Sequence, residues 1–355
     1  MQPPDSAAQV CVILLQLGGP KDADAIEPFL HNLFEDVLPL PKLLRRPLAG
    51  FIARRRTPKV RPLYAEIGGG SPLLPNTQAQ QAALQQRLAD LGVKAKVVIG
   101  MRYAPPRIDE ALRTARACAP GVPWVALSLY PQYSYATSRS SLRELQEHLQ
   151  PGESQRVRAI CAYPQDSLYL DAMAQQVDES LAALPNEIQK QVHLVFSAHG
   201  LPLKLVREGD PYPQHISKTV DGVLQRLKNA PRRWTLCYQS RVGPVKWLTP
   251  STLNTLEELG KAGEKHVMVV PVAFTSEHIE TLHEIGIELR DAARAAGIQT
   301  YVRVPTVGTQ PQFIDALAHL VIKHMQAPQM CCGVYPECEL RNVGREKDHS
   351  KSLAS

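Results

Sequence analysis

Short apolar and β-branched runs alternate with helix-patterned segments along nearly the whole chain, and this alternation restricts the fold more than any other feature. The strand-like runs are Val10–Leu17, Lys96–Met101, Trp124–Tyr130 and Val157–Cys161, then His193–Ser197, Arg233–Gln239, His266–Phe274 and Thr300–Val304. Helical periodicity fills most of the gaps, over Thr77–Leu91, Ser140–Leu149, Leu168–Leu184, His215–Lys228, Thr252–Lys261 and Ile279–Ala296. A strand that leaves through a helix and returns must pair in parallel. Val12-Ile-Leu-Leu15 and Val267-Met-Val-Val-Pro-Val272 are apolar at nearly every position, as strands covered on both faces require. The pattern predicts two similar doubly wound, Rossmann-like α/β domains, each with a four-stranded parallel sheet. The expected divisions are residues 1–165 with a helix at 311–326 packing back on them, residues 166–310, and a polar extension over 327–355.

A length of 355 residues is more than the roughly 150 expected of one domain. No apolar stretch approaches the roughly 18 residues of a membrane-spanning helix, and the opening MQPPDSAAQ resembles neither a secretory signal nor a transit peptide, so a soluble, cytoplasmic protein is expected. The 7 cysteines are an odd set without a signal peptide, which disfavours a disulfide framework and leaves reduced thiols or metal ligands. Cys331, Cys332 and Cys338 crowd together near the C-terminus. The net charge of +6 is concentrated: Lys42, Arg45, Arg46, Arg54, Arg55, Arg56, Lys59 and Arg61 occur with no acid between them, interleaved with Leu43, Leu44, Leu48, Phe51 and Ile52. Residues 38–61 thus form a basic, apolar lip, assigned to the first domain as a helix-loop cover, a membrane-surface patch, or both. No phosphate loop is present, Gly68-Gly69-Gly70 runs into Ser-Pro-Leu, and no G-x-S-x-G elbow surrounds Ser197. Nucleotide chemistry and serine hydrolysis are unsupported, and the lip lacks a nucleic-acid-reading motif around it.

Two constellations remain. His199 directly follows a strand and precedes the turn residues Gly200 and Pro202, so it belongs at the carboxyl edge of a sheet, where ligands of such folds bind. Glu277, His278, Glu280, His283, Glu284 and Glu288 follow another strand. Glu280, Glu284 and Glu288 fall on one α-helical face, where like charges repel. The arrangement is either a solvated acidic face or a file of carboxylates and imidazole that a divalent metal ion can follow.

Several segments resemble ferrochelatases: Gln16-Leu-Gly-Gly-Pro20, Arg56-Thr-Pro-Lys59, Ile67-Gly-Gly-Gly-Ser-Pro72, Arg102-Tyr103, Tyr130-Pro-Gln-Tyr-Ser134 and Phe196-Ser-Ala-His-Gly-Leu-Pro202. So do Gly209-Asp-Pro-Tyr-Pro-Gln214, Tyr238-Gln-Ser-Arg-Val-Gly-Pro244 with Trp247-Leu248, and Pro271-Val-Ala-Phe-Thr-Ser-Glu-His-Ile-Glu-Thr-Leu282. Departures are Gln16 where asparagine is usual, Ala104-Pro105 after Arg102-Tyr103, Lys246 in place of a common proline, and His283 at a position commonly tyrosine.

The resemblance implies a chelatase-type fold and insertion of Fe(II), as substrate, into protoporphyrin IX in haem biosynthesis. The alternatives are insertion into coproporphyrin III and a non-catalytic metal- or haem-binding protein. It implies that His199 and Glu280, facing each other across the macrocycle, are catalytic and ligate the iron, His199 as proton acceptor and ligand and Glu280 as partner ligand or second proton acceptor, with Glu277, Glu284 and Glu288 on an iron or proton path and His278 as support. Porphyrin contacts are implied for Leu17, Arg102, Tyr103, Tyr130, Ser240 and Trp247, with Arg102 or the lip arginines meeting propionates. The cysteine tail resembles extensions that hold a [2Fe-2S] cluster through four thiolates. Here Cys331, Cys332 and Cys338 would be joined by Cys161, since Tyr135 stands where animal members place the body ligand. Zinc or free thiols are the other readings of the tail. Peripheral contact with an anionic membrane is a further expectation of the lip.

Overall fold

The computed structural model describes residues 8–327 except 39, 229–232, 242 and 244, and leaves aside the side chain of residue 42. In chain order its elements are β1 (Val10–Gln16), α1 (Ile26–Val37), α2 (Lys42–Glu66), α3 (Leu73–Asp90), β2 (Ala95–Met101), α4 (Ile108–Cys118), β3 (Trp124–Ser128), α5 (Ser140–Glu147), β4 (Val157–Ile160), α6 (Ser167–Ala182) and α7 (Asn186–Gln189). There follow β5 (His193–His199), α8 (Leu203–Arg207), α9 (Tyr212–Leu224), β6 (Trp234–Gln239), α10 (Thr252–Lys261), β7 (His266–Pro271), a π-helical segment over Glu280–Glu288, α11 (Leu289–Ala295), β8 (Thr300–Arg303) and α12 (Pro311–Met325). Among the described residues no helix is long and apolar enough to cross a membrane.

Two parallel four-stranded sheets result, ordered β2-β1-β3-β4 and β6-β5-β7-β8. The same order in both halves is the doubly wound arrangement that the alternation of strands and helices requires. Every residue of β1 is buried, as is every residue of β5 before His199, so continuous apolar runs are what a central parallel strand needs. The first sheet packs Ile13, Leu15, Trp124 and Ala126 against Ile108 and Leu112 of α4. The second packs Val195, Val267 and Val269 against Leu256 of α10, Ile285 of the π segment and Leu289 of α11.

Two compact units divide the chain, one holding the residues up to Leu17, Gln78–Tyr163 and the residues from Ile314, the other Gly18–Thr77 and Pro164–Phe313. Asp315 of α12 pairs with Arg87 of α3 within the first unit. The lip, expected with the first domain, groups instead with the second. The cause is α2, which packs beside α1 and ends with Glu66 3.1 Å from His283 of the π segment. From Lys42 onward the lip belongs to α2, one 25-residue helix that runs through Pro47, Pro58 and Pro62. All three prolines are exposed, where water can satisfy the carbonyls that their missing N–H groups release.

Candidate active site

His199 ends β5, next to the point where strand order reverses between β6 and β7. Crevices in open α/β sheets form outside the carboxyl ends at such a switch point. Gly200 then lets two backbones meet: its N–H donates to the Gln239 carbonyl at 2.8 Å, and a Cβ at this position would stand 2.6 Å from that oxygen.

Beyond β7, the chain re-enters the site through Glu277. Its carboxylate accepts from Arg303 Nη1 at 2.8 and 2.9 Å, from the Thr306 N–H at 3.0 Å and from Thr281 Oγ1 at 2.5 Å. Burial alone would raise this carboxyl's pKa, but Arg303, Thr281 and Thr306 together hold it below the ordinary value. His278 sits beside the Phe274 ring, with Nδ1 3.1 Å from the Ser276 carbonyl and Nε2 3.8 Å from Glu280.

The segment Glu280–Glu288 is π-helical and reverts to α-helix only at Leu289, where periodicity predicts an α-helix throughout. Single π turns are uncommon and occur disproportionately at functional sites. Each of its glutamates has its own partners, although Glu280 still bears on Glu284 as a like charge. Glu280 Oε2 lies 2.7 Å from His199 Nδ1. Glu284 accepts from the Ser240 N–H at 2.7 Å, from Gln239 Nε2 at 3.0 Å and from the Ser240 hydroxyl. Glu288 lies 3.5 Å from Nδ1 of His283.

The contact between His199 and Glu280 overturns one expectation. The two side chains do not converge on a macrocycle from opposite sides, because a ring cannot pass between hydrogen-bonded atoms 2.7 Å apart. They act as a joined pair. Nδ1 is pinned by the carboxylate and Nε2 makes no hydrogen bond among the described residues; the imidazole is 41% exposed and the carboxylate 25%. Burial by itself would lower the His199 pKa, but Glu280, and then Glu284, raise it above the ordinary value. Burial would likewise raise Glu280, yet His199 and then His278 hold it far below the usual carboxylate range. Glu284 moves the other way, raised first by burial and then by Glu280.

A hydrogen-bond chain behind Glu284 had no individual sequence signal. Ser197 Oγ donates to Gln239 Oε1 at 2.8 Å and lies 2.8 Å from Thr252 Oγ1, leaving the Gln239 amide nitrogen directed at Glu284. Ser240 holds φ at 63°, a left-handed conformation that costs a non-glycine residue about 1 kcal/mol or more. That conformation aims its N–H at Glu284. Arg303, Thr306 and Glu66 are likewise brought in by the fold alone.

The implied porphyrin contacts are distributed over both units. In the first, Leu17 follows β1 and accepts the Tyr103 N–H at 2.9 Å, and Tyr103 itself is buried. Arg102 pairs with Glu144, donates to Ser140 Oγ at 2.9 Å and lies 5.0 Å from the Tyr103 ring centre. Tyr130 lies half-buried just beyond β3. In the second unit, Ser240 and half-buried Trp247 follow β6, with Trp247 bridging to Pro202. Cys331, Cys332 and Cys338 lie outside the described residues. Cys161 is fully buried one residue beyond β4, and it is disulfide-bonded where Cys11, Cys118 and Cys237 are free thiols. Among the described residues no group of three or more His, Cys, Asp and Glu is placed to hold a metal ion.

Comparison with known proteins matches this geometry to a family. SirB from Bacillus subtilis, solved with Fe3+, superposes with a TM-score of 0.54 over 90% of this chain and 96% of its own, at 12% identity, which is a likeness of fold alone. The ferrochelatase of Rippkaea orientalis is 46% identical over 329 residues, covering 90% of this chain and 84% of that one. That of Synechococcus elongatus is 45% identical over 330 residues with the same coverage. The ferrochelatase family model matches residues 9–325, essentially both sheets and everything between them, and the chain belongs to the ferrochelatase family.

Proposed function

We propose that this ferrochelatase inserts Fe(II) into protoporphyrin IX and that His199 takes a pyrrole proton through Nε2 while Glu280 fixes the ring through Nδ1. The pair itself carries the reading: a carboxylate on one imidazole nitrogen sets the tautomer and orientation and leaves the other nitrogen to act. The chemistry demands such a base. Two N–H bonds break, iron–nitrogen bonds form, two protons leave and no electron changes hands. Pyrrole N–H groups are very weak acids, so proton removal must accompany metal entry. Glu284, hydrogen-bonded directly to Ser240 and four residues after Glu280 in sequence, is the nearby carboxylate for onward proton or iron transfer. With Fe(II) and protoporphyrin IX the purified chain should form haem, and His199→Ala should abolish insertion while porphyrin binding persists. Near-native turnover by that variant refutes the assignment. Coproporphyrin III in a parallel assay identifies the preferred ring.

A [2Fe-2S] cluster held by Cys161, Cys331, Cys332 and Cys338 is part of the same proposal. Cys161 fits as a body ligand by its place, fully buried one residue beyond β4, and would bind as a thiolate only after its disulfide is reduced. A bound cluster would supply thiolate-ligated iron, and no step of insertion requires it. Anaerobically purified protein should carry iron, inorganic sulfide and visible absorption that Cys161→Ser removes; colourless, zinc-loaded protein refutes this. The exposed Leu43, Leu44, Leu48 and Phe51, among exposed Arg46, Arg54, Arg55 and Arg56, suit peripheral contact with an anionic membrane surface.

A further inference from the structure

The end of the second unit away from His199 holds a cavity that the chemistry above does not use. It lies beside the start of β5, where Val192 and Leu194 are buried, and β5 runs about 20 Å from there to His199. One wall comes from α6, whose Asp171, Ala174, Asp178 and Leu181 recur at three- and four-residue intervals and so share a face. The end of α7 and the turn after α9 contribute Gln189, Lys190, Arg226 and Lys228. The volume is about 760 Å³, within the range of about 300–1,000 Å³ typical of small-molecule pockets.

Charges in this cavity are unevenly satisfied. Asp171 pairs with Arg226 at 2.8 Å, and Glu179 accepts from Gln175 Nε2 at 2.6 Å. Asp178 has no such partner among the described residues. Its carboxylate meets only the Lys228 backbone N–H, at 3.3 and 3.4 Å, longer than the roughly 2.7–3.2 Å of a good hydrogen bond. Burial raises the Asp178 pKa, and the Lys228 N–H and ammonium offset this only in part, so the ionised carboxylate still lacks a cation. Lys190 and Lys228 are exposed, and neither forms an ion pair among the described residues. The remaining lining is apolar, with Ala174, Val192 and Leu194 buried and Leu181 half-buried.

A carboxylate and two ammonium groups that share a cavity without pairing are complementary to a ligand carrying both charges. An anionic ligand alone would leave Asp178 without a cation, and an amine alone would leave both lysines without an anion. The apolar lining adds a place for a hydrocarbon body. We propose that this cavity binds a small zwitterion of the apolar amino-acid class, with its ammonium on Asp178, its carboxylate between Lys190 and Lys228, and its side chain against Leu181, Val192 and Leu194. The claim stands on the cavity alone and does not depend on metal insertion.

The test uses the full chain with L-phenylalanine as probe, read by isothermal titration and by the methyl resonances of Leu181, Val192 and Leu194, which should shift on saturation. Asp178→Asn keeps an acceptor for the Lys228 N–H but removes the charge, and should weaken binding about 10- to 100-fold, as loss of a charged hydrogen bond does. Lys190→Gln combined with Lys228→Gln should weaken it about 3- to 10-fold, since exposed charges contribute less. Glycine, without the apolar body, and 3-phenylpropanoate, without the ammonium, should each bind at least about 10-fold more weakly than the probe. Melting curves report whether each variant is folded, and the lysine pair tests the site independently of Asp178→Asn. The proposal is overturned by absence of saturable binding to the unaltered chain, by shifts confined to other methyl groups, or by affinity unchanged in either folded variant. Binding of 3-phenylpropanoate as tight as that of phenylalanine overturns it equally.

Discussion

Replacing Arg303 by methionine separates two roles for Glu277, an anchor for the loop entering the π segment or a ligand on the iron path. Both side chains are 23% exposed, between the buried and surface regimes of ion pairs. Removing one partner of a buried pair costs about 3–5 kcal/mol, whereas breaking a surface pair costs about 0–1 kcal/mol. Glu277 keeps Thr306 and Thr281 as donors but loses both contacts to the guanidinium. We expect a loss of about 2–3 kcal/mol, or about 5–10 °C in the melting temperature of a unit of about 200 residues. Because Arg303 holds the Glu277 pKa below its ordinary value, this stabilisation is complete above the unfolded carboxyl pKa and is lost as pH falls through the lowered folded one. The penalty of Arg303→Met should therefore be full at pH 7 and shrink in acid. Glu277→Gln should recover about 2 kcal/mol of it when combined with Arg303→Met, measured as the coupling term of a double-mutant cycle in chemical denaturation. Strict additivity of the two changes would refute the anchor. So would a stable Glu277→Gln enzyme whose only defect is a raised KM for iron.

The raised pKa of His199 predicts that the acidic limb of kcat/KM lies above the ordinary imidazole value, since only neutral imidazole accepts a proton. Glu280→Gln removes the principal group raising it, so any residual activity should have its limb shifted to lower pH; an unmoved limb assigns it to another group. Gly200→Ala should cost about 1–3 kcal/mol, because the added Cβ meets a backbone carbonyl at 2.6 Å and the Trp247 ring at 3.3 Å. Urea melts and turnover together check it, and a neutral substitution would mean that the ends of β5 and β6 are not tightly joined. Changing Leu43 and Phe51 to serine should weaken sedimentation with anionic vesicles while leaving folding intact; unchanged sedimentation removes the lip from membrane contact.

The sheets were legible because a doubly covered parallel strand must be apolar on both sides, and runs such as Val12–Leu15 have few other uses. His199 was legible for a related reason, since a polar residue that immediately follows such a strand is delivered to the sheet's carboxyl edge. The π segment was not. Glutamates at four-residue spacing fit α and π windings alike, and the difference depends on packing against distant elements. Partners were hidden by the same distance: His199 and Glu280 are 81 residues apart and Ser240 and Glu284 are 44 apart. The lip misled because its composition advertises exposure but says nothing about which sheet its helix joins; Glu66 and His283 settle that by contact.

Three glutamates of one type, four residues apart on one segment, end in three electrostatic conditions, and the cause in each case is the partner rather than the sequence position. Glu280 faces two imidazoles and stays ionised far into acid. Glu284 is hydrogen-bonded by neutral groups while Glu280 bears on it as a like charge, so it holds a proton more readily than an ordinary carboxylate. Glu288 stands half in water beside His283. Neighbouring carboxyls whose environments push them apart can divide acid and base work that two equivalent carboxylates cannot. Insertion of a cation that displaces two protons needs that division, because a group that strongly attracts the ion must not also be the one neutralised by the departing proton. A continuous α-helix with solvated glutamates would lack it; the π segment, the left-handed Ser240 and the Gln239–Ser197 chain are the features of this fold that create it.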